Sequence, residues 1–226
     1  MKYEIFGDTL PAVSVELSNG ESMYTQSGGM TWMSAEMKME TNMKGGLLKG
    51  IGRMLSGDSL FMCTYTATKD GQSITFASSF PGNIIALDVA NGPYVCQKDG
   101  FLCAQPDVTL SVWTPSDWKA GLFGGDGFIL QELRGTGLAF IELDGSIKEI
   151  DLKPGEKLKV DTGNVAAFES RVRYSVETVK GFRNILFGGE GLFLTTVEGP
   201  GKVWLQTMTT PNFAKKIIPF LPTKDN

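Results

Sequence analysis

The octapeptide Met54-Leu55-Ser56-Gly57-Asp58-Ser59-Leu60-Phe61 returns as Leu122-Phe123-Gly124-Gly125-Asp126-Gly127-Phe128-Ile129 and again as Leu186-Phe187-Gly188-Gly189-Glu190-Gly191-Leu192-Phe193. Each copy runs from two apolar residues through a small pair, a carboxylate and a small residue to two more apolar residues. The first residues of successive copies stand 68 and 64 positions apart. A spacing that recurs in this way marks a repeated structural unit.

The flanks of the three copies agree as well. Downstream, residues 60–66, 128–133 and 192–197 read as strands, glycine-bearing turns follow at 69–71, 134–137 and 198–201, and strands resume at 73–77, 138–143 and 202–207. Strand, tight turn, strand predicts a β-hairpin in each unit. Upstream, Ser18-Asn19-Gly20-Glu21, Ala90-Asn91-Gly92-Pro93 and Lys153-Pro154-Gly155-Glu156 each supply an opening turn, and Gly28-Gly29, Asp99-Gly100 and Gly163-Asn164 a second one. The opening glycines precede the motif glycines by 37, 33 and 34 positions. The chain therefore divides into units at 1–85, 86–148 and 149–210, with a tail from 211 to 226. Many short strands broken by glycine turns predict an all-β sandwich or barrel-like fold. Units of this size bury too little surface to stand alone, so the three are expected to pack against one another.

Bulk properties narrow the function. The 226 residues are 42% hydrophobic and 20% charged, ordinary for a globular protein. No apolar run approaches the ~20 residues that cross a bilayer, and the start Met1-Lys2-Tyr3-Glu4-Ile5-Phe6 lacks a long apolar stretch, so a cytoplasmic address is expected. A net charge of −4 argues against wrapping a phosphate backbone. The three cysteines, Cys63, Cys96 and Cys103, form no CxxC pair and lie in apolar, strand-like stretches, which predicts buried reduced thiols. Histidine is absent. That removes the commonest general base, the Ser-His triad and every histidine-containing metal site.

The candidate sites are weighed against simpler roles. Residues 44–55 place apolar side chains at 47, 48, 51, 54 and 55 at helical spacing among glycines and Lys44, Lys49 and Arg53, but no Lys-Ser or Lys-Thr follows where a phosphate loop needs it. Methionines between 33 and 43 suit irregular core packing better than thioether metal binding. The repeat-motif residues Gly57, Asp58, Gly125, Asp126, Gly189 and Glu190 place one carboxylate in each unit. Three such groups could converge on a cation, but a carboxylate between small residues more readily bonds nearby backbone N–H groups in a turn. Arg53, Lys119 and Arg183, with Lys49 and Lys180, form a repeated cationic set that would suit an anionic partner such as lipid headgroups or RNA. Solvated surface charge is the simpler reading, and the recurrence makes this set the best binding hypothesis. In the tail, Asn212-Phe213-Ala214-Lys215-Lys216-Ile217-Ile218-Pro219-Phe220-Leu221-Pro222, the prolines limit any helix, and docking on the body is favoured over a surface or partner anchor.

Ser56-Gly57-Asp58-Ser59-Leu60-Phe61 after a glycine-and-lysine stretch, and Gly189-Glu190-Gly191-Leu192-Phe193 with Gly199-Pro200-Gly201-Lys202-Val203-Trp204-Leu205-Gln206, resemble the altered inheritance of mitochondria protein 24 family over nearly the whole chain. The resemblance implies three tandem modules similar to the tryptophan RNA-binding attenuation protein, a double-stranded β-helix or jelly-roll sandwich, with pseudo-threefold repetition and ring-like homo-oligomers. Mitochondrial relatives are associated with inner-membrane organisation, and the family offers no catalytic residues to carry over. RNA binding would follow from fold analogy alone, and the acidic balance weighs against it. Jelly-roll metalloenzymes draw on histidines this chain lacks.

The sequence thus leads to a non-enzymatic β scaffold without cofactor or metal, self-associating with a trimer favoured, and presenting a repeated surface to a protein or membrane-surface partner. A small-ligand or nucleic-acid binder using an inter-module pocket or the basic rim is the alternative.

Overall fold

Alternation sets the strands. Val13, Val15 and Leu17 are buried while Glu16 between them is exposed, so residues Ala12–Leu17 form a half-buried strand. The computed structural model describes residues 1–26, 28–43, 61–115, 129–178 and 193–222. A leading strand β1 (Lys2–Phe6) precedes β2 (Ala12–Leu17), β3 (Ser22–Gln26), β4 (Met30–Met33), β5 (Lys38–Met43), β6 (Phe61–Thr66) and β7 (Gln72–Ala77). A second six follow: β8 (Gly82–Asp88), β9 (Tyr94–Gln97), β10 (Phe101–Ala104), β11 (Val108–Trp113), β12 (Leu130–Gly135) and β13 (Leu138–Asp144). The third six are β14 (Ile147–Leu152), β15 (Lys157–Asp161), β16 (Val165–Glu169), β17 (Arg173–Thr178), β18 (Phe193–Glu198) and β19 (Gly201–Gln206). A short helix, α1 (Thr210–Ile217), comes last.

The fold is all-β, with the strands in four antiparallel sheets ordered β1-β2-β7-β4, β5-β6-β3-β10-β13-β8, β11-β12-β9-β16-β19-β14 and β15-β18-β17. One pairing rule generates all four. In each set of six, the first, sixth and third strands pair, giving β2-β7-β4, β8-β13-β10 and β14-β19-β16. The second, fifth and fourth also pair, giving β3-β6-β5, β9-β12-β11 and β15-β18-β17. The third strand carries the same β-bulge each time, between Met30 and Trp32, Phe101 and Cys103, and Val165 and Ala167. A bulge bends the strand and fixes its register, so its recurrence aligns the sets residue by residue.

Apolar residues fill three cores between successive sheets. Val13, Val15, Met23, Tyr65, Phe76 and Phe140 belong to the first, Tyr24, Phe101, Leu133, Ile141 and Trp204 to the second, and Val95, Leu130, Phe168, Tyr174 and Val197 to the third. The two six-stranded sheets contribute to two cores each, and their central strands β3, β10, β9 and β16 are buried almost throughout.

Several expectations are corrected. The strand–turn–strand pairs are not hairpins: β6 and β7, β12 and β13, and β18 and β19 lie in different sheets. The glycine turns carry the chain from one layer to the next, with Gly71, Gly135, Gly137 and Gly201 at positive φ. The divisions at 85/86 and 148/149 fall inside β8 and β14, and the pairing rule restarts at Gly82 and Ile147. The tail forms a helix despite its prolines, because Pro211 sits in the first turn, where its missing N–H costs nothing. The Thr209 hydroxyl accepts from the Asn212 N–H (3.3 Å). Its start docks: the Thr210 N–H and hydroxyl donate to Asp144 (3.1 and 2.9 Å), and Phe213 packs edge-on against Phe80 at 4.9 Å. From Ile217 onward the apolar side chains are exposed.

Candidate functional site

The motif residues Gly57, Asp58, Gly125, Asp126, Gly189 and Glu190 and the cationic residues Lys49, Arg53, Lys119, Lys180 and Arg183 lie outside the described residues. The stretches that hold them join the fourth strand of a set to the fifth, between β5 and β6, β11 and β12, and β17 and β18. Among the described residues, no three His, Cys, Asp or Glu side chains come together in a way that could hold a metal ion. No described helix is long and apolar enough to cross a membrane.

What the described residues do build is a strand joint, made twice. In the first joint β3 pairs with β10, Thr25 opposite Cys103 and Tyr24 opposite Ala104. The Tyr24 hydroxyl donates to the Val108 carbonyl (2.8 Å), the Thr25 hydroxyl donates to the Leu102 carbonyl (2.5 Å), and the Tyr24 ring lies 5.6 Å from that of Phe101. In the second, β9 pairs with β16: Cys96 opposite Ala167, Val95 opposite Phe168 and Tyr94 opposite Glu169. The Gln97 side-chain amide donates to the Gly163 and Val165 carbonyls at 2.9 and 2.8 Å, tying β9 to the chain that enters β16.

Both joints are dry. Val95, Cys96, Cys103, Ala104, Ala167 and Phe168 have no exposed surface. Burial pushes the Cys96 thiol up to about 12, and the Cys103 thiol and Tyr24 phenol well up from their ordinary values, so all three groups stay neutral. The cysteines are free and buried, as the sequence predicts.

Among the described residues, the same two strand positions occur once more without a partner. First and fourth strands lie outermost in every set, and β1 covers β2. Second and third strands are joined wherever a neighbouring set exists, which leaves β4 and β15 as open edges at opposite ends of the series. Their exposure reflects this. All four residues of β10 are buried, whereas Thr31 and Trp32 of β4 are exposed, Trp32 by 52%. Tyr94, Val95 and Cys96 of β9 are buried, whereas Lys157, Lys159 and Asp161 of β15 are exposed.

The recurrence fixes the register of a third joint. Through the bulge, Trp32 and Met33 correspond to Cys103 and Ala104, and to Ala167 and Phe168. Through the fifth strand, Val160 and Lys159, opposite Thr195 and Thr196, correspond to Thr25 and Tyr24, and to Cys96 and Val95. Trp32 would therefore face Val160, and Met33 would face Lys159. Lysines on an edge strand commonly block pairing. Here they lie across the sheet in pairs, Lys159 with Glu177 (3.1 Å) and Lys157 with Glu198 (3.3 Å), while Leu158 and Val160 pack inward on the third core.

A cleft between residues 91–94 and 169–171 is shallow, at 150 Å³, and Arg171 within it is paired with Glu169 at 2.6 Å. Small-molecule sites usually span ~300–1,000 Å³.

The sequence did not expose these edges. Their shared signal is the bulge register, which no residue type announces, and Lys157-Leu158-Lys159-Val160 reads simply as a half-buried strand.

A family model described as Mitochondrial biogenesis AIM24 matches residues 3–208. An uncharacterized protein of Streptococcus pyogenes serotype M6 is 30% identical over 224 residues, covering 96% of this chain and 89% of the relative. A crystal structure of a Streptococcus pyogenes protein matches with a TM-score of 0.78 at 26% identity, covering 97% of this chain and 99% of that one.

Proposed function

The chain belongs to the Mitochondrial biogenesis AIM24 family, and we propose that it is a non-enzymatic β scaffold that self-associates through β4 of one copy and β15 of the next. One observation carries the reading: a strand joint made twice within the chain is left open, with its complementary halves at the two ends. We read the three strand sets as tandem modules of the jelly-roll type found in the tryptophan RNA-binding attenuation protein. Joining β4 to β15 between copies is a heterologous contact, which closes into a ring when the rotation per copy allows. A trimer is the expected ring. Such a ring presents one surface many times over to a partner, a membrane surface included.

The absence of histidine and the burial of neutral Cys96 and Cys103 support the non-enzymatic assignment. Among the described residues, the cleft between residues 91–94 and 169–171 falls below the usual size range for a small-molecule site.

Light scattering on the intact protein tests the proposal. The wild type should show a whole multiple of 24.5 kDa. Trp32→Asp, which puts a charge on the open edge, should reduce it to a single chain with unchanged circular dichroism. A wild-type mass of one chain at micromolar concentration would overturn self-association.

A further inference from the structure

We propose that residues 210–221 dock the protein on the headgroup layer of an anionic lipid membrane. The segment lies beyond residue 208, where the match to the family model ends. It gives the scaffold reading its partner and rests on that reading for avidity alone.

Three observations converge on it. First, the helix is amphipathic. Phe213 and Ile217, and Ala214 and Ile218, stand four apart on one side, while Asn212, Lys215 and Lys216 fall on the other. Second, the apolar side has almost no protein to cover it. Phe213 touches Phe80, but Ile217, Ile218, Phe220 and Leu221 are 40%, 60%, 86% and 57% exposed. Third, the charge is complementary to anionic lipid. In a chain of net charge −4, residues 209–222 hold two lysines and no carboxylate, and both lysines lie in the last turn of α1.

A short helix with basic residues on one face and Phe, Ile and Leu on the other lies in the plane of a membrane interface, its apolar side chains among the upper acyl chains and its lysines at the phosphates. The contacts to Asp144 and Phe80 fix where the segment leaves the body, so the exposed turn is held out from it. One such anchor binds weakly and reversibly, and several copies in one assembly multiply the hold.

The test is flotation of the full-length protein with vesicles of phosphatidylcholine and phosphatidylglycerol at low salt, and with vesicles of phosphatidylcholine alone. The wild type should float with the anionic vesicles and release as salt rises. Ile218→Ser/Phe220→Ser should lower binding about tenfold or more, since two apolar side chains no longer insert. Lys215→Glu/Lys216→Glu should lose the preference for anionic lipid. Circular dichroism of both variants should match the wild type. Failure of the wild type to float, or equal flotation of the serine variant, would overturn the proposal. If the serine variant instead lost solution mass while the wild type ignored vesicles, the face would be an inter-copy contact and the lipid anchor would be refuted. An anchor on a monomeric protein would leave this proposal standing and refute self-association alone.

Discussion

Phe168→Ala removes the side chain that fastens the second internal joint. Phe168 has no exposed surface and stands opposite Val95 on one side and Val203 on the other. Its ring stacks on Tyr174 at 5.2 Å and 14°, and meets Trp113 edge-on at 5.4 Å and 79°. Emptying a buried phenylalanine site costs ~3–5 kcal/mol, from lost transfer free energy and the cavity left behind. The two ring pairs, worth ~0.5–1.5 kcal/mol each beyond area, push the cost to the upper part of that range. We therefore expect a loss of about 4–5 kcal/mol, a large share of the ~5–15 kcal/mol that holds a domain folded. Urea unfolding followed by tryptophan fluorescence, extrapolated linearly to water, measures it directly. Phe168→Leu, which refills most of the site, should cost clearly less. A loss under about 2 kcal/mol for Phe168→Ala would refute the packing described for this joint.

Further outcomes follow from particular contacts. At Gly135, φ is +126° and a Cβ would run into the Asp107 carbonyl, so Gly135→Ala should cost more than about 2 kcal/mol. Gly155→Ala, at φ +76° in open space, should cost only about 1 kcal/mol, and equal melting temperatures for the two variants would contradict this account. With Cys63, Cys96 and Cys103 buried and the Cys96 thiol pushed up to about 12, no thiol should react with a disulfide reagent near pH 8 until urea is added. Fast labelling of the folded protein would contradict that burial. The Lys202 hydrogen bond to Glu149 (2.5 Å) holds the Glu149 carboxyl below its usual range, helped by the Trp204 indole N–H and opposed by desolvation. Its folded-state pKa is the lower one, so the contribution is present above the unfolded carboxyl range and lost as pH falls through the folded value. Glu149→Gln should lower the melting temperature near pH 7 and leave it unchanged near pH 2; an equal loss at both would point to a contact independent of charge.

The strands were legible because each carries its own signal: Val13, Val15 and Leu17 alternate with polar residues, and glycines at positive φ stand at the predicted turns at Gly20, Gly92 and Gly155. Strand partners were not legible. The turn at Gly71 reads the same whether β7 folds back on β6 or crosses to another sheet, because a tight turn specifies the change of direction and not the neighbour. The third strands, Met30–Met33, Phe101–Ala104 and Val165–Glu169, share a bulge and a register but no residue pattern. Their open or joined state depends on whether another set precedes, and no local sequence encodes that. In the tail, Pro219 and Pro222 argued against a helix, yet Pro211 in the first turn starts one that ends before Pro219.

The shared register offers the most direct test of the β4–β15 joint. Trp32 and Val160 should stand directly opposite one another between copies, and opposed residues of an antiparallel pair lie ~4.5–5.5 Å apart at Cα, within disulfide range. Trp32→Cys/Val160→Cys should therefore cross-link copies under mild oxidation, giving covalent multiples of the chain on a non-reducing gel. Trp32→Cys/Lys157→Cys, out of register by three residues, should not. Only single-chain bands from the in-register variant, or equal cross-linking from both, would contradict the joint.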